Sequence, residues 1–251
     1  MKMKKNFGFI IILVTFLCVS CGKQKIEIEM IQIPNKQFEV LSTEVTQKLY
    51  ESVMNQNPSK NIGENNPVTN ISWCDAIYFC NKLSKINGLT PVYSVHGETD
   101  VSKWNYAAKE GLGGQVTKND IANGYRLPTV DEWQYAAKGG QDYTYAGSNT
   151  IDEVAWYDEN SNRISHSVSQ KKANAYGLYD MSGNVSELCY DSANGTDDKL
   201  IYNLPGGVNK YHRKHCGGSF IYNRKIYNYD YINFLSSKDY IGFRIVRTIT
   251  E

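Results

Sequence analysis

The sequence predicts a single irregular α+β domain, with helices early in the chain and an antiparallel sheet late in it. Three stretches with helical spacing of apolar residues lie before residue 141, whereas the later chain alternates short apolar pieces with turns rich in Gly, Asn, Asp and Ser. Helices and strands that are segregated in this way favour an α+β arrangement over repeated βαβ units. No period of about 20–50 residues recurs, which excludes solenoids and propellers.

The first predicted elements are a strand and a helix. Ile26–Met30 alternates apolar and charged residues and predicts a strand. Ser42 and Thr43 are N-cap residue types that open a predicted helix over Glu44–Asn55, which Pro58 closes. Apolar residues recur at helical spacing within this stretch, so we expect one face of the helix to be buried.

Two further helices carry capping patterns. Ser72-x-x-Asp75 resembles a capping box with Asp in place of the usual Glu, and Gly88 supplies the stop. Thr129-x-x-Glu132 is a capping box, and Gly139 ends the helix that it opens. Short strand-like pieces are predicted at Pro91–Ser94 and Trp104–Tyr106, and a final strand at Gly242–Thr248.

The N-terminus has the pattern of an export signal. Three lysines within the first five residues precede an apolar run over Phe7–Val19, and Ser20-Cys21 follows. The run is too short for a membrane-spanning helix, which needs about 20 residues. Its end resembles a bacterial lipoprotein signal, in which the cysteine, here Cys21, is lipidated, although Cys18 stands where such signals usually carry Leu. Plain secretion is the alternative.

We therefore expect a signal peptide over 1–20, a lipidated tether over 21–25 and a folded domain over 26–251. Residues 1–20 contain three Lys and no acidic residue, so 27 Lys and Arg against 26 Asp and Glu become 24 against 26, a net charge of −2. A slightly acidic chain offers no field that would hold a nucleic-acid backbone, so nucleic acid is excluded as a partner.

Four cysteines belong to the predicted folded domain. Cys74 and Cys80 lie six residues apart on one predicted helix, about 9 Å along its axis, which is too far for a disulfide. With Cys189 and Cys216 they allow three full pairings, and nothing in the sequence selects one. Buried free thiols are the preferred interpretation.

Six segments occur in an order that is typical of one known family: Glu44–Thr46, Asn66–Ala76, Gly124–Trp133, Tyr176–Glu187, Gly217–Phe220 and Gly242–Arg244. They resemble the formylglycine-generating-enzyme or sulfatase-modifying-factor family, and the resemblance covers about residues 26–248. The family's fold is a variant of the C-type lectin fold, so the resemblance implies that fold here. Fold alone does not fix function, which has to be argued from the site.

The resemblance does not extend to the family's catalytic cysteines. In its oxidase members, two cysteines between the Gly-Gly-Ser motif and the Gly-Phe-Arg strand bind copper and oxidise a sulfatase cysteine. The matching interval, Ile221–Ile241, contains no cysteine, and Cys189 and Cys216 lie outside it. Without thiolates to hold Cu(I) and to exchange with a substrate thiol, that reaction lacks its redox centre. We expect neither copper nor catalysis; an oxidase that uses Cys189 or Cys216 in a rearranged site is the alternative.

Two segments contain metal-ligand residue types. His212-x-x-His215-Cys216 completes no four-ligand zinc pattern and is surrounded by Lys and Arg, so we interpret it as a solvated basic turn. The family resemblance implies a structural calcium site with side-chain ligands Asp180 and Glu187 and carbonyl ligands Gly183 and Val185. Hard oxygen donors in a turn suit Ca²⁺, and the alternative is a turn in which both acids accept backbone N–H groups.

The interval Ile221–Ile241 departs from the family. It holds five of the 19 Tyr together with three Asn, two Asp and two Ser, and no Gly, Pro, Ala, Val or Trp. Its set of Asn, Tyr, Asp, Ile, Ser, Phe and Leu can be reached from an Asn codon by substituting only adenines. That property resembles the variable region of proteins diversified by a diversity-generating retroelement, some of which are surface lipoproteins of this fold.

The same residue types suit binding, because Tyr gives a large amphipathic contact area and Asn, Asp and Ser give adaptable hydrogen bonds. Alternation is poor, so we expect an irregular loop on a scaffold. The alternative is that Tyr229, Tyr231 and Phe234 fill the core beneath the last strand. We expect core positions in particular for Ile226, Ile232 and Ile241. The predicted ligand-binding residues are Tyr222, Asn223, Tyr227, Asn228, Tyr229, Asp230, Tyr231, Asn233, Phe234 and Tyr240.

Together these patterns predict a non-catalytic lipoprotein, exported and anchored to a bacterial membrane at the cell surface, that binds a protein or glycan through residues 221–240. Arg244 is expected to tie the last strand to carbonyls or carboxylates through its five donors. A structural lipoprotein of a secretion or motility complex is an alternative from another functional class.

Overall fold

A computed structural model describes residues 25–106, 111–112, 114–192, 212–223, 225 and 227–249. The predicted signal peptide, the lipidation site at Cys21 and most of the tether lie outside these residues, as does Ile226. Within the described ranges, no helix is both long enough and apolar enough to cross a membrane.

The domain has few helices and many short strands, and most of its strands come late in the chain. Its helices are α1 Gln47–Met54, α2 Trp73–Ile86, α3 Val130–Lys138 and α4 Ile151–Val154, with a 3-10 turn at Val101–Lys103. Its strands are β1 Met30–Gln32, β2 Phe38–Leu41, β3 Tyr93–Val95, β4 Val116–Lys118, β5 Tyr125–Arg126, β6 Ser186–Ser192, β7 His212–Cys216, β8 Gly218–Ser219, β9 Tyr222–Asn223, β10 Tyr229–Asn233, β11 Ile241–Gly242 and β12 Val246–Thr248. This mixture confirms the predicted α+β class.

Both predicted capping boxes are confirmed. The Ser72 hydroxyl accepts from the N–H of Asp75, whose carboxylate accepts from the N–H of Ser72 in return, and α2 begins at the next residue. Thr129 and Glu132 make the same reciprocal pair at the start of α3. Each arrangement satisfies two N–H groups that the first turn of a helix leaves without partners.

The first helix begins three residues later than predicted, with Thr46 as its N-cap. The N–H of Val45 donates to Phe243 O at 2.9 Å, and Thr46 forms an isolated β-bridge with Pro67, so this stretch is extended. Contacts with distant parts of the chain therefore override the local capping residues Ser42 and Thr43. The prediction fails because those contacts have no signature in the local sequence.

Two predicted strands also differ from the structure. Residues 104–106 follow the 3-10 turn instead of forming a strand, because the Asp100 side chain caps that turn at the N–H of Ser102. The final strand is divided into β11 and β12, which belong to different sheets. Between them, Phe243 and Ile245 accept backbone hydrogen bonds from Val45 and Leu41.

Two four-stranded sheets organise the domain. The terminal sheet has the strand order β1-β2-β12-β5, and all of its neighbours are antiparallel. The late sheet has the order β10-β7-β6-β11, in which β11 runs parallel to β6 and the other pairs are antiparallel. The predicted late antiparallel sheet is thus confirmed except at its β11 edge.

The late sheet lies between two hydrophobic clusters. Leu188 and Tyr190 of β6 and Ile232 of β10 belong to the larger cluster, which contains α1 and α2. Cys189 and Cys216 belong to the other cluster, which contains α3. Alternate residues of a strand point to opposite faces, so β6 contributes to both clusters. This leaves β10, at the edge of the sheet, as the strand whose side chains are least covered.

Candidate functional site

Part of the interval predicted to be an irregular loop is a regular strand. β10 pairs with β7 over five consecutive residues, from Tyr229 to Asn233. The loop prediction is therefore wrong for these residues, because pairing with a neighbouring strand supplies the order that their own pattern does not show. The consequence is that their side chains alternate between solvent and core.

Three tyrosines of this region are the exposed ones. The exposed fractions are 48% for Tyr227, 38% for Tyr229 and 50% for Tyr231. The rings of Tyr229 and Tyr231 meet edge to face with centroids 5.6 Å apart. Lys214 Nζ lies 4.4 Å from the ring centroid of Tyr229, and Lys138 Nζ lies 4.9 Å from that of Tyr227. We call these five residues the tyrosine face.

The tyrosine face is held to the scaffold on two sides. The side-chain amide of Gln134 on α3 donates to the carbonyl oxygen of Tyr227 at 3.1 Å. Tyr229 and Tyr231 are fixed by the β10–β7 ladder opposite Cys216 and Lys214. Each lysine above a ring adds about 0.5–1 kcal/mol at an exposed site and limits the rotamers of both partners. The backbone that carries the three rings is therefore held in place by the scaffold.

The segment His212–Cys216, predicted to be a solvated basic turn, is the strand β7. Arg213 and His215 are buried on one side of it: the Arg213 guanidinium stacks 4.1 Å from the Trp73 ring centroid, and His215 Nδ1 lies 2.7 Å from Ser186 Oγ. The turn prediction fails because these two polar residues find partners in the core.

Lysines 138 and 214 are the members of the site that sequence reasoning missed. Lys214 lies between two buried residues of β7, so it must point to the opposite side, where Tyr229 is. The alternation of buried and half-buried residues over 212–215 shows which side chains of β7 face Tyr229. The sequence alone shows only a run of basic residues in this segment. Lys138 lies in the last turn of α3, more than 80 residues before the tyrosines it meets.

The other predicted ligand-binding residues differ in how far they are exposed to solvent. Asn223 and Asn228 are exposed, and Asp230 is half-buried. Tyr222 and Tyr240 are half-buried and pack edge to face with centroids 5.8 Å apart. The structure therefore does not bring all ten residues onto one surface.

Two members of the predicted set have structural roles. The side-chain oxygen of Asn233 accepts from the N–H of Leu235 at 3.0 Å and shapes the turn after β10. Phe234 is 7% exposed and belongs to the larger cluster with Ile232 and Ile241. This burial corrects the prediction that Phe234 contacts the ligand. The core positions expected for Ile232 and Ile241 are confirmed.

Arg244 ties the last part of the chain to three others, as predicted. Its guanidinium donates to Leu41 O at 2.8 Å, to Tyr179 O at 2.7 Å and to the Glu187 carboxylate at 2.9 and 3.0 Å. Trp133 Nε1 donates to the same carboxylate at 2.7 Å. Arg244 and Glu187 are both fully buried, so neither could lose its partner without leaving an uncompensated charge.

Two more carboxyl groups lie near this ion pair. Glu44 accepts from Val185 N at 2.9 Å and from Asn184 Nδ2 at 2.7 Å. Burial, together with the nearby charges of Asp180 and Glu187, raises the pKa of the Glu44 carboxyl well above its ordinary value. Burial also raises the pKa of Asp180 to about 6. Three buried acids thus lie near one guanidinium, which is in contact with Glu187. This arrangement favours the protonated forms of Glu44 and Asp180.

These contacts do not fit the calcium site that the family resemblance implies. The Glu187 carboxylate already binds a guanidinium cation, which would repel Ca²⁺. Asp180 accepts from the N–H of Ser169 at 2.7 Å, the role expected for a turn acid without a metal. Among the residues described, no group of three or more His, Cys, Asp and Glu is placed to hold a metal ion.

Comparison with protein families matches residues 19–249 to the sulfatase-modifying factor enzyme 1-like domain. The chain belongs to this family. Solved structures agree: Treponema denticola variable protein 1 is 30% identical with a TM-score of 0.74, covering 90% of this chain and 93% of that one. CarF is 30% identical with a TM-score of 0.65, covering 85% and 87% of the two chains. The predicted fold, the formylglycine-generating-enzyme type of the C-type lectin fold, is confirmed.

Two further proteins are similar to this member of the family. PvdO from Pseudomonas aeruginosa is 16% identical with a TM-score of 0.57, over 88% of this chain and 90% of that one, a likeness of fold alone. The chaperone protein LppX of Paenibacillus barcinonensis is 43% identical over 174 residues, which are 61% of this chain and 62% of that protein. The match therefore spans less than two thirds of this relative.

The cysteines that a rearranged oxidase of this family would need are buried. Cys189 and Cys216 are 0% and 1% exposed, with their sulfur atoms 3.7 Å apart. Burial raises the pKa of Cys189 well above its ordinary value, so its reactive thiolate form is disfavoured. Cys74 and Cys80 are buried on α2, and in the structure no disulfide bond links any of these four cysteines. None of the four presents a sulfur atom to a substrate.

Proposed function

We propose that this protein is a non-catalytic lipoprotein, exported and anchored at the cell surface through Cys21, that binds a protein or glycan ligand with its tyrosine face. The anchor holds the N-terminus at the membrane, and the lectin-type scaffold presents the face to the surroundings. No nucleic acid is expected as a partner, because the net charge without the signal peptide is slightly negative.

The division of β10 between two environments carries this proposal. Within β10, Tyr229 and Tyr231 are exposed and Ile232 is buried in the core, as is Phe234 directly after the strand. A strand that needed aromatic residues only for packing would bury them, since burying a large apolar side chain stabilises a fold by about 1.5–3 kcal/mol. Exposed aromatic rings that are clustered are instead typical of interaction surfaces.

The chemistry of the face suits polar ligands with flat or acidic parts. Tyrosine rings stack on sugar rings and peptide planes, and their hydroxyls give and accept hydrogen bonds. Lys138 and Lys214 add positive charge that attracts carboxylate or sulfate groups. Because the backbone of β10 is already paired with β7, binding does not have to order the main chain that carries Tyr229 and Tyr231.

Diversification by a retroelement is part of this proposal, supported by the adenine-only codon relationships and by similarity to a protein named as variable. The structure divides the positions that such a process would reach. Substitutions at 227, 229 and 231 alter the surface, whereas substitutions at 232 and 234 alter the core. Sequencing the gene in sibling isolates should show adenine-directed changes at the outward positions and an apolar restriction at the inward ones; an invariant 221–240 interval would exclude diversification.

Binding is tested by comparing the wild type with a variant that carries Tyr227→Ala, Tyr229→Ala and Tyr231→Ala. Both are applied to a glycan array and to an array of purified extracellular proteins. A matched control is Tyr143→Ala, which removes a tyrosine of 36% exposure outside the face. We expect the triple variant to lose the signals that the wild type and the control share. Equal binding by all three proteins would contradict the proposal.

The absence of catalysis needs its own test. The protein is incubated with Cu(I), oxygen and a sulfatase peptide that contains the target cysteine, and the peptide mass is followed. We expect no conversion, because the buried thiols cannot exchange with a substrate thiol. Conversion that disappears in Cys189→Ser or Cys216→Ser would establish an oxidase instead.

A second candidate function is supported by the 43% identity to a protein named as a chaperone. The same exposed rings could bind the apolar segments of a non-native client protein. Suppression of the aggregation of a chemically denatured model enzyme separates the two candidates. A chaperone suppresses aggregation of several unrelated clients, whereas a display protein binds a narrow set of folded proteins or glycans.

A further inference from the structure

Two cysteines that play no part in the proposed function lie in contact. Cys189 is on β6 and Cys216 is on β7, strands that are neighbours in the late sheet. Their sulfur atoms are 3.7 Å apart. A disulfide has an S–S length of about 2.05 Å, so the two atoms would have to approach by about 1.7 Å. Rotation about the two Cα–Cβ bonds changes this separation, and the two residues lie on strands that are already paired.

The surroundings of the pair favour a bond over two free thiols. Both side chains lie in the cluster that contains Trp133 and Met181, where a thiol finds few polar partners. Among the residues that the structure describes, the Cys189 thiol lies 3.8 Å from the Glu187 carbonyl oxygen and 3.7 Å from the neighbouring sulfur. A disulfide has no donor to satisfy and packs as an apolar group.

The other two cysteines provide a contrast within the same molecule. Cys74 and Cys80 lie six residues apart on α2, about 9 Å along the helix axis. That separation exceeds the Cα–Cα range of about 4.4–6.8 Å that a disulfide allows. The fold thus makes one close pair of cysteines and keeps the other two apart from each other.

We infer that Cys189 and Cys216 form a disulfide when the chain folds after export. Compartments outside the cytoplasm are oxidising, and the N-terminal sequence predicts delivery to one of them. The oxidant is the disulfide form of a thiol-exchange protein or of a small thiol compound, called the carrier below. One cysteine thiolate attacks it to give a mixed disulfide, and the second cysteine displaces the carrier. The two protons lost by the cysteine thiols pass to the two carrier sulfurs, so the carrier leaves with both sulfurs as thiols.

The timing follows from the burial of the pair. In the folded protein the side chains of Cys189 and Cys216 are 0% and 1% exposed, so no carrier can reach them. Exchange must therefore occur while β6 and β7 are assembling, and the completed bond is shielded from reductants afterwards. It is a structural bond and not a switch.

The bond would fix the strand that supports the tyrosine face. Cys216 is the residue of β7 that lies opposite Tyr229 of β10 in the ladder. A covalent link from Cys216 to β6 joins this edge of the late sheet to its centre. It also closes the chain from 189 to 216 into a loop, whose ends can then no longer separate in the unfolded protein.

The test uses the full chain, exported with its own N-terminal sequence from a bacterial host. The purified protein is denatured with an alkylating reagent, with or without prior reduction, and its peptides are identified by mass spectrometry. Without reduction, we expect label on Cys74 and Cys80 and a linked peptide pair containing Cys189 and Cys216. After reduction, all four should be labelled.

Each alternative outcome overturns the inference. If Cys189 and Cys216 are alkylated as fully as Cys74 and Cys80 without reduction, they are free thiols. A linked pair that includes Cys74 or Cys80 would show a different connectivity. A Cys74→Ser, Cys80→Ser double variant is the matched control and should retain the linked peptide pair. The inference rests on the proposed export but not on ligand binding, so its failure is distinguishable from a failure of the proposed binding function.

Discussion

Replacement of Asp180 by Asn is expected to stabilise the protein at neutral pH, although it removes a buried charged group. Burial raises the pKa of Asp180 from 3.8 to about 6. A folded carboxyl group with a raised pKa holds its proton more tightly than the unfolded chain does. Its contribution to stability is therefore highest below pH 4 and is lost as the pH rises to about 6.

The size of the effect follows from the shift in pKa. A change of one pKa unit corresponds to about 1.36 kcal/mol, so the shift of Asp180 corresponds to about 3 kcal/mol. Asn resembles the protonated acid and can still accept from the N–H of Ser169 through its amide oxygen. The backbone at this position has a φ of 56°, a left-handed conformation that Asn also adopts. The substitution therefore removes the charge with little change in shape.

The assay is urea unfolding of the wild type and Asp180→Asn between pH 3.5 and 7, with Asp142→Asn as an exposed control. We expect the wild type to lose about 3 kcal/mol relative to Asp180→Asn as the pH rises across this range. A difference that does not change with pH, or one that favours the wild type at pH 7, would refute the argument. Unfolding with and without calcium should agree, since a calcium ligand at Asp180 would instead make the wild type the more stable form.

Two other substitutions test the scaffold. Arg244→Met leaves Glu187 buried without its cation and should lower the free energy of unfolding by about 3–5 kcal/mol. The control Arg247→Met breaks a partly exposed pair with Glu39 and should lower it by about 1 kcal/mol or less. Similar losses in the two variants would contradict the special role of Arg244. Gly183→Ala should lower the thermal midpoint markedly, because Gly183 has a φ of 78° and an added Cβ would clash with Trp156 O. A matched change at Gly177, which also has positive φ but open space around it, separates the clash from the backbone strain.

Local signals in the sequence predicted the parts of the fold that depend on local chemistry. The capping boxes at Ser72 and Thr129 begin helices where expected, because both partners of each box lie three residues apart. The role of Arg244 was also predictable, since a guanidinium that is buried must find acceptors for its donors.

Contacts between distant parts of the chain determine the features that the local sequence did not predict. Glu44 reads as the first residue of a helix, yet its carboxylate is held by Asn184 and Val185, 140 residues away. The basic segment around Arg213 becomes a strand because Trp73 accepts the guanidinium on its ring. The candidate site was located by composition, but the division into outward and inward residues required the pairing of β10 with β7.

The most direct test of the central claim compares Tyr229→Ala with Phe234→Ala, an outward and an inward aromatic residue of the same interval. Binding of a ligand identified on the arrays is measured by calorimetry, and stability is measured by urea unfolding. We predict that Tyr229→Ala lowers affinity at least about tenfold with little loss of stability. Phe234→Ala should lose about 3–5 kcal/mol of stability while its folded fraction binds normally. Unchanged affinity in Tyr229→Ala, or a loss of stability as large as that of Phe234→Ala, would show that the tyrosine is a packing residue and that the tyrosine face is not a binding surface.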